Sequence, residues 1–490
     1  MNNKTLIISV ALIISANTAT ANVCQQDRHC FKLPPPAEYV PTYNKLTVKQ
    51  AILIALENNQ NVESDQMSVS VAKLAVDNAY YNFAPQLSAD ASAAFTKGST
   101  PTYNAYSQVT LNTPIGTSLS FEYTPKFLAP YQGNVASTGT VVLAQPLLQG
   151  FGLAFNEIGL TDAYATYQVG ALTFKSNMMT LVQSTIANYY SYLISLYNLE
   201  QNRESLEAAK LAADNAKMQV KVGQLAQSQL SNAEASLAQQ QLSFKEQENA
   251  LIQNRQIFLT TLGIPFNSNI TLDQTLPTSY PSIKSYKPYY LRALQNNINI
   301  LTQKAQMVNV KNNVISAKNA RKWTLTLSAT FNVIGQSSAI TANNTPANAT
   351  AAVSNPGVNL ALIIPIRAVD TKATLISDEI SLAQQQINLA VTENTLRQTI
   401  KNAVISLNLA RDRILVRQQQ IVLTRDSVRN AEIKLAYGQA AALEMSEYRQ
   451  NLTNSQIALG QTEVNYINTK VGLLILSGDL LKEYGIALKY

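Results

Sequence analysis

Lys434-Leu-Ala-Tyr437-Gly438-Gln439-Ala-Ala-Ala-Leu-Glu444-Met-Ser-Glu447 is the stretch on which the fold of this chain turns. A near copy stands 215 residues earlier, Val220-Lys-Val222-Gly223-Gln224-Leu-Ala-Gln-Ser228-Gln229. In each, a glycine follows a valine or tyrosine, a glutamine follows the glycine, and polar residues with apolar ones at helical spacing continue far beyond it. Glycine takes the left-handed backbone angle that ends one helix before the next begins, so each copy reads as the tip of a helical hairpin. Two such tips imply a duplicated architecture.

Outward from the tips, all 17 prolines of the 490 residues lie outside two tracts, 147–264 and 366–490. Interior proline costs a helix about 3 kcal/mol, so these tracts are free to form very long helices. A helix from about 153 to 220 would run about 100 Å at ~1.5 Å per residue, and such a hairpin has to project. The tracts are rich in Ala, Gln, Asn, Leu and Ser, and their apolar and small residues suit packing on more than one side. The net charge of +7 is scattered, with no basic run, which argues against a nucleic-acid partner.

The rest of the chain repeats as well. Ala55-Leu-Glu-Asn-Asn59 is echoed by Ala293-Leu-Gln-Asn-Asn297 at an offset of 238. Pro146 matches Pro365 at 219, while Gly223 with Gly263 matches Gly438 with Gly478 at 215. The offset falls by 19 within the strand region, so the first copy carries an extra short hairpin around the turn Thr113-Pro114-Ile115-Gly116. A further loss of four residues is assigned to the outgoing helix. Repeat 1 is drawn at 46–270 and repeat 2 at 271–490.

Within repeat 1, a helix is predicted from 46 to about 83, stopped by Pro85. Alternating segments near 86–95, 103–112, 115–124 and 136–145 then read as strands with one apolar and one polar face. Leu119, Phe121 and Tyr123, for example, oppose Ser118, Ser120 and Glu122. Repeat 2 places its strands within 323–365, joined by a low-complexity loop from Gly335 to Asn355. Segments of about ten residues suit membrane-spanning strands, with a soluble sandwich as the alternative.

Residues 1–21 read as a secretory signal peptide, with Lys4, an apolar run from Leu6 to Ile14, and Ala19-Thr20-Ala21 as the cleavage pattern. Residues 22–45 are punctuated by Pro34-Pro35-Pro36 and Pro41 and are expected to be extended over the surface. An exported compartment makes a disulfide between Cys24 and Cys30 the leading reading, with free thiols and a lipid anchor on Cys24 as alternatives. His29, the only histidine, sits between the two cysteines, and a zinc site there would need a fourth ligand that the sequence does not offer.

The order of these features resembles the TolC-type outer-membrane factor family, the exit ducts of efflux pumps and type I secretion systems. The resemblance rests on the helix ending in Asn58-Asn59, the strand opening Pro85-Gln86-Leu87-Ser88, the exit Gln145-Pro146-Leu147-Leu148, and both glycine tips. It implies a mixed α and β membrane protein. A trimeric transmembrane β-barrel in the outer membrane would continue as a long periplasmic α-helical barrel, with two internal repeats in each chain. It also implies partners: two further copies in a homotrimer, a periplasmic adaptor, an inner-membrane transporter, and outer-membrane lipid. The strands independently call for other copies, since an open sheet edge in lipid leaves backbone groups unsatisfied. Four strands per chain would give a twelve-stranded trimer, and the extra hairpin, if it spans, eighteen.

The resemblance further implies that acidic residues six and nine positions past the second glycine, here Glu444 and Glu447, narrow the periplasmic mouth. At i and i+3 they share a helix face, and their bland reading is a solvated one. The first copy departs from the family's efflux pattern, with Gln229 in place of an acid; Ala440 stands where an arginine helps lock the mouth. The closed state is therefore expected to use different contacts, with Ser228 or Gln229 across the helix interface as candidates. Val222, Gly223 and Gln224, with Tyr437, Gly438 and Gln439, resemble the tip grooves that meet an adaptor, although a plain helix reversal needs the same residues. Trp323, Tyr80 and Tyr81 fit a membrane-interface girdle, with junction packing as the alternative. No catalytic constellation, metal-ligand spacing or phosphate loop is present in the sequence, so neither enzyme activity nor a cofactor is expected. A coiled-coil structural protein of the periplasm or surface, without a pore, is the rival reading.

Overall fold

The computed structural model describes residues 42–94, 102–124, 126–127, 135–274, 279–337, 350–353, 356–365, 369–437 and 442–486. The expected signal peptide, Cys24, Cys30 and His29 lie outside the described residues, as do Gly438 and Gln439.

Repeat 1 opens with β1 (Thr42–Leu46), then α1 (Val48–Asn58) and α2 (Gln60–Tyr81). Thr47 starts α1 through a capping box with Gln50. The single helix expected over 46–83 is broken at Asn59, whose ψ of 116° is extended. Its backbone N–H still closes α1 on the Ala55 carbonyl, while its side chain accepts from the Asn61 N–H to start α2. Then come β2 (Gln86–Ala94), β3 (Thr102–Asn112), β4 (Ser118–Thr124), β5 (Lys126–Phe127), β6 (Val135–Pro146), the short α3 (Leu153–Asn156), α4 (Ile158–Lys221), α5 (Gln227–Leu262) and β7 (Asn269–Leu272).

Repeat 2 runs α6 (Lys287–Asn296), α7 (Ile298–Ala320), β8 (Thr324–Ser337), β9 (Thr350–Val353), β10 (Gly357–Ile363), α8 (Val369–Ala436), α9 (Ala442–Ser477) and α10 (Leu480–Glu483). Helix α8 has 68 residues against 64 in α4, so the four-residue difference between copies does not shorten the outgoing helix. Repeat 1 instead spends more chain between strand and helix, on the turn at Gly150–Gly152 and on α3. The segment 335–355 is not wholly loop, because β8 runs to Ser337 and β9 pairs back onto it.

The long helices pack by the same scheme in each repeat. Helices α2 and α5 lie along successive parts of α4, through Val69 on Phe174 and Met178, and then Leu230 and Ala233 on Ala213 and Ala216. Helices α7 and α9 do the same on α8, through Val314 and Ala317 on Leu375, and then Met445 on Val428 and Ala431. The largest core joins the two schemes, with Ile52, Val182, Ile186, Tyr189, Phe258, Leu262, Val471 and Leu480 among its buried residues.

Where these runs meet, both copies make the same knot. Asn59 donates from Nδ2 to the Thr261 carbonyl (3.3 Å), and Asn297 to the Leu476 carbonyl (3.0 Å). Two residues beyond each carbonyl, Gly263 (φ 70°) and Gly478 (φ 76°) end their helices. The following N–H groups bond back in Schellman fashion, Ile264 to Leu259 and Asp479 to Leu474. A Cβ on Gly263 would stand 2.6 Å from the Asn58 carbonyl oxygen, and one on Gly478 2.5 Å from that of Asn296. The duplicated Asn-Asn and Gly positions are therefore two halves of one device.

The tail of the Pro-rich segment is not simply extended over the surface. Thr42–Leu46 pairs in parallel with β7, setting Tyr43 against Ile270 and Leu46 against Leu272. Leu46 is buried, and the Tyr189 hydroxyl lies 2.9 Å from the Leu46 carbonyl and 2.8 Å from that of Asp273. Strand β7 also straddles the 270/271 line drawn between the repeats.

Candidate functional site

Two regions hold the candidate residues: the strand sheet and the hairpin tips. The sheet is antiparallel along β10-β8-β6-β4-β3-β2. Strand β5 continues β4 along β3, and β9 pairs with β8 beyond β10, so eight segments occupy six positions. Period-two alternation is in phase across them: Leu87 lies opposite Val109, Val109 opposite Phe121, Phe121 opposite Val141, and Val141 opposite Phe331. Farther along, Leu327 meets Leu360 and Leu325 meets Leu362. The opposite face carries Ser88, Asp90, Gln108, Ser120, Glu122, Thr140, Thr326 and Ser328. The apolar face is open to solvent in the single chain, with Leu87 76% and Val358 74% exposed. Among the described residues no helix is long and apolar enough to cross a membrane.

Trp323 directly precedes β8, and its carbonyl accepts the Gln149 N–H at 3.1 Å. Tyr80 and Tyr81 end α2, and all three rings are exposed.

At the first tip, Gly223 has φ 76° and the Gln224 N–H reaches back to the Gln219 carbonyl at 2.9 Å. Val222 and Gln224 are exposed, as are Ser228 and Gln229 in the first turn of α5. At the second tip Tyr437 is exposed, Glu444 is half-buried in the first turn of α9, and Glu447 is exposed one turn on. Among the described residues Ser228, Gln229, Glu444 and Glu447 make no side-chain hydrogen bond or ion pair. Between them the buried Met445 anchors α9 on α8. The exposed Arg449–Glu432 pair, at 3.1 Å, bridges the same hairpin and contributes little in water.

A buried acid went unread in the sequence. Glu463 of α9 is 9% exposed and accepts the Tyr280 hydroxyl at 3.0 Å. Tyr280 stacks edge-on against Tyr466 with ring centroids 5.1 Å apart. Arg411 Nε donates to the Tyr280 carbonyl at 3.0 Å, and Asn408 makes a two-way bond with the backbone of Ile283. The strand-free segment ahead of α6 is thereby fixed across α8 and α9. Desolvation raises the Glu463 pKa against the smaller lowering effect of the tyrosine bond. A raised carboxyl pKa means that the folded chain holds a proton the unfolded chain has released. Stability therefore falls as pH climbs from the ordinary glutamate range through the raised value. Glu463→Gln keeps an acceptor for Tyr280 and removes that loss. Its melting temperature is expected to exceed wild type at neutral pH, with the gap closing toward pH 4; a neutral-pH melting temperature at or below wild type would contradict a desolvated carboxylate at this position.

Among the described residues no group of three or more His, Cys, Asp and Glu is placed to hold a metal ion. No protein-family model matches the chain, and no curated protein matches it in sequence. Solved structures do match over most of its length. The outer-membrane protein VceC of Vibrio cholerae aligns at 16% identity and a TM-score of 0.64, over 88% of this chain and 96% of that one. The open state of the MtrE outer-membrane channel of Neisseria gonorrhoeae aligns at 13% identity and 0.63, over 88% and 89%. CusC, described for conformational changes that accompany folding and transmembrane channel formation, aligns at 15% identity and 0.62, over 92% and 98%. The chain thus has the mixed strand-and-helix fold of these outer-membrane channels over most of its length.

Proposed function

We propose that this chain is one protomer of a homotrimeric exit duct in the bacterial outer membrane, with its helices extending into the periplasm. The observation that carries the reading is the sheet, whose apolar face lies open and whose outermost strands are β2 and β10. In lipid an unpaired edge costs several kcal/mol for each unsatisfied group, and joining β2 of one copy to β10 of the next removes every edge. A second support lies on α8, where Ile380, Ile387, Val391, Ile405, Leu409 and Val416 are exposed at separations of four, seven and fourteen residues. That spacing lines them up as one apolar stripe along a straight helix, still open to a neighbouring helix.

In this reading the duct does no chemistry. It passes small molecules or unfolded polypeptide from an inner-membrane transporter, through a periplasmic adaptor, to the outside. The adaptor docks at the tips, on Val222, Gly223, Gln224, Tyr437, Gly438 and Gln439. Threefold symmetry gathers Glu444 and Glu447 into an acidic ring at the mouth, with Ser228 and Gln229 as its neutral counterpart. Opening is an outward shift of the tip helices between two packed arrangements, biased by the adaptor. Trp323, Tyr80 and Tyr81 sit at the lipid interface.

Membrane fractionation tests the reading against a pore-free coiled-coil protein. The protein is expected in the outer-membrane fraction, extracted only by detergent, with the mass of three chains. Recovery from the periplasm as a soluble monomer would end the duct reading.

A further inference from the structure

We propose that the hairpin β3–β4 is part of the membrane wall, so that each protomer gives six strands and the trimer closes an eighteen-stranded barrel. The inference rests on the trimeric-duct reading and concerns its bore.

Three observations place the hairpin in the wall. First, it is inserted in line: β3 pairs with β2 on one side and β4 on the other, and β4 pairs onward with β6. A hairpin folded into the lumen as a plug, or outward as a surface flap, would leave β2 to pair with β6. Secondly, the apolar face crosses it without a change of phase. Val109 stands between Leu87 and Phe121, and Leu119 stands between Leu111 and Leu143. A single-residue slip would have turned this set to the polar face, so the hairpin's alternation is matched to its neighbours'. Thirdly, its turn is tied down at the entrance to the helices. The Gly152 N–H donates to the Ile115 carbonyl at 3.1 Å, Thr117 bonds Gln145, and the backbone at Gly116 (φ 96°) lies against the Gly150 carbonyl. Asn156 and Asn319 hold that same Gly150–Gly152 turn from the helix side.

The consequence is width. Strands about 4.8 Å apart and tilted about 40° close a ring of about 36 Å backbone diameter for eighteen strands, against about 24 Å for twelve. A bore of that size is in the range of water-filled porins. The membrane end then does not sieve the cargo by size, and selection falls to the helical tips. The wall facing the water carries Asp90 and Glu122 among hydroxyl and amide side chains, a lining suited to bulky hydrated solutes.

Nitroxide scanning of the full-length protein in lipid vesicles tests this. Cys24 and Cys30 are replaced by serine, and single labels are placed at Leu119, Ser120, Phe121 and Glu122, with Leu143 and Phe331 as references outside the hairpin. Collision with oxygen reports lipid, and collision with a water-soluble nickel chelate reports water. The labels at 119 and 121 are expected to match 143 and 331 in oxygen accessibility, while those at 120 and 122 shift to nickel. If 143 and 331 face lipid but 119 and 121 do not, the hairpin is outside the wall and the barrel has twelve strands. If none of the six alternates between lipid and water, the duct reading itself fails. A mass of three chains on the same sample converts six strands per chain to eighteen; any other number of chains overturns that count.

Discussion

Gly263→Ala and Gly478→Ala are expected to lower the thermal stability of the detergent-solubilised protein clearly more than Gly223→Ala does. All three glycines have positive φ, between 70° and 76°, which costs an alanine about 1–2 kcal/mol. At Gly223 an added Cβ meets nothing within 4 Å, so that cost stands alone. At Gly263 and Gly478 the added atom meets a backbone carbonyl at 2.6 and 2.5 Å, and neither carbonyl can swing aside as a side chain would. Each carbonyl belongs to the residue just before the helix break at Asn59 or Asn297, so relief of the clash loosens the knot between the short and long helices. Circular dichroism melting of the three variants side by side measures the difference. Equal losses at all three positions would mean that the knots do not hold the repeats together.

Glu444→Gln together with Glu447→Gln is expected to reduce cation selectivity severalfold and to abolish block by multivalent cations. Two carboxylates per chain, on one face of the first turns of α9, become six when three copies surround an axis. Charges of one sign in a narrow mouth raise the local cation concentration and exclude anions. The amides keep size and helix propensity, so a change in reversal potential reports charge and not packing. The first tip gives the matched control, because Gln229 is already neutral, and Gln229→Glu is expected to raise cation selectivity if its ring also lines the mouth. Unchanged selectivity in the double variant would remove both glutamates from the conducting path.

Much of this architecture is written in local pattern. The positive φ at Gly223, the proline-free tracts and the strict alternation around Phe121 each act within a few residues, so they are legible without a structure. The insertion in repeat 1 is legible too, because the offset between the copies is 238 at Asn59 and 219 at Pro146. What escaped depends on distant partners. Apolar spacing continues through Asn59 and masks the break there; besides starting α2 from its own side chain, that asparagine ties the break to the Thr261 carbonyl 202 residues on. Strand β1 exists because β7, more than 200 residues on, offers it an edge. Glu463 reads as one more polar position on a long helix until Tyr280 arrives from 183 residues earlier. At the candidate site the glutamates are placed on their helix by sequence alone, whereas the proposed ring needs three chains.

Planar-bilayer recording of the purified wild-type protein bears most directly on the duct. Discrete conductance steps with cation-selective reversal potentials, from a sample whose mass is that of three chains, are the expected result. A preparation that stays soluble without detergent and adds no conductance to the bilayer at any concentration would contradict it.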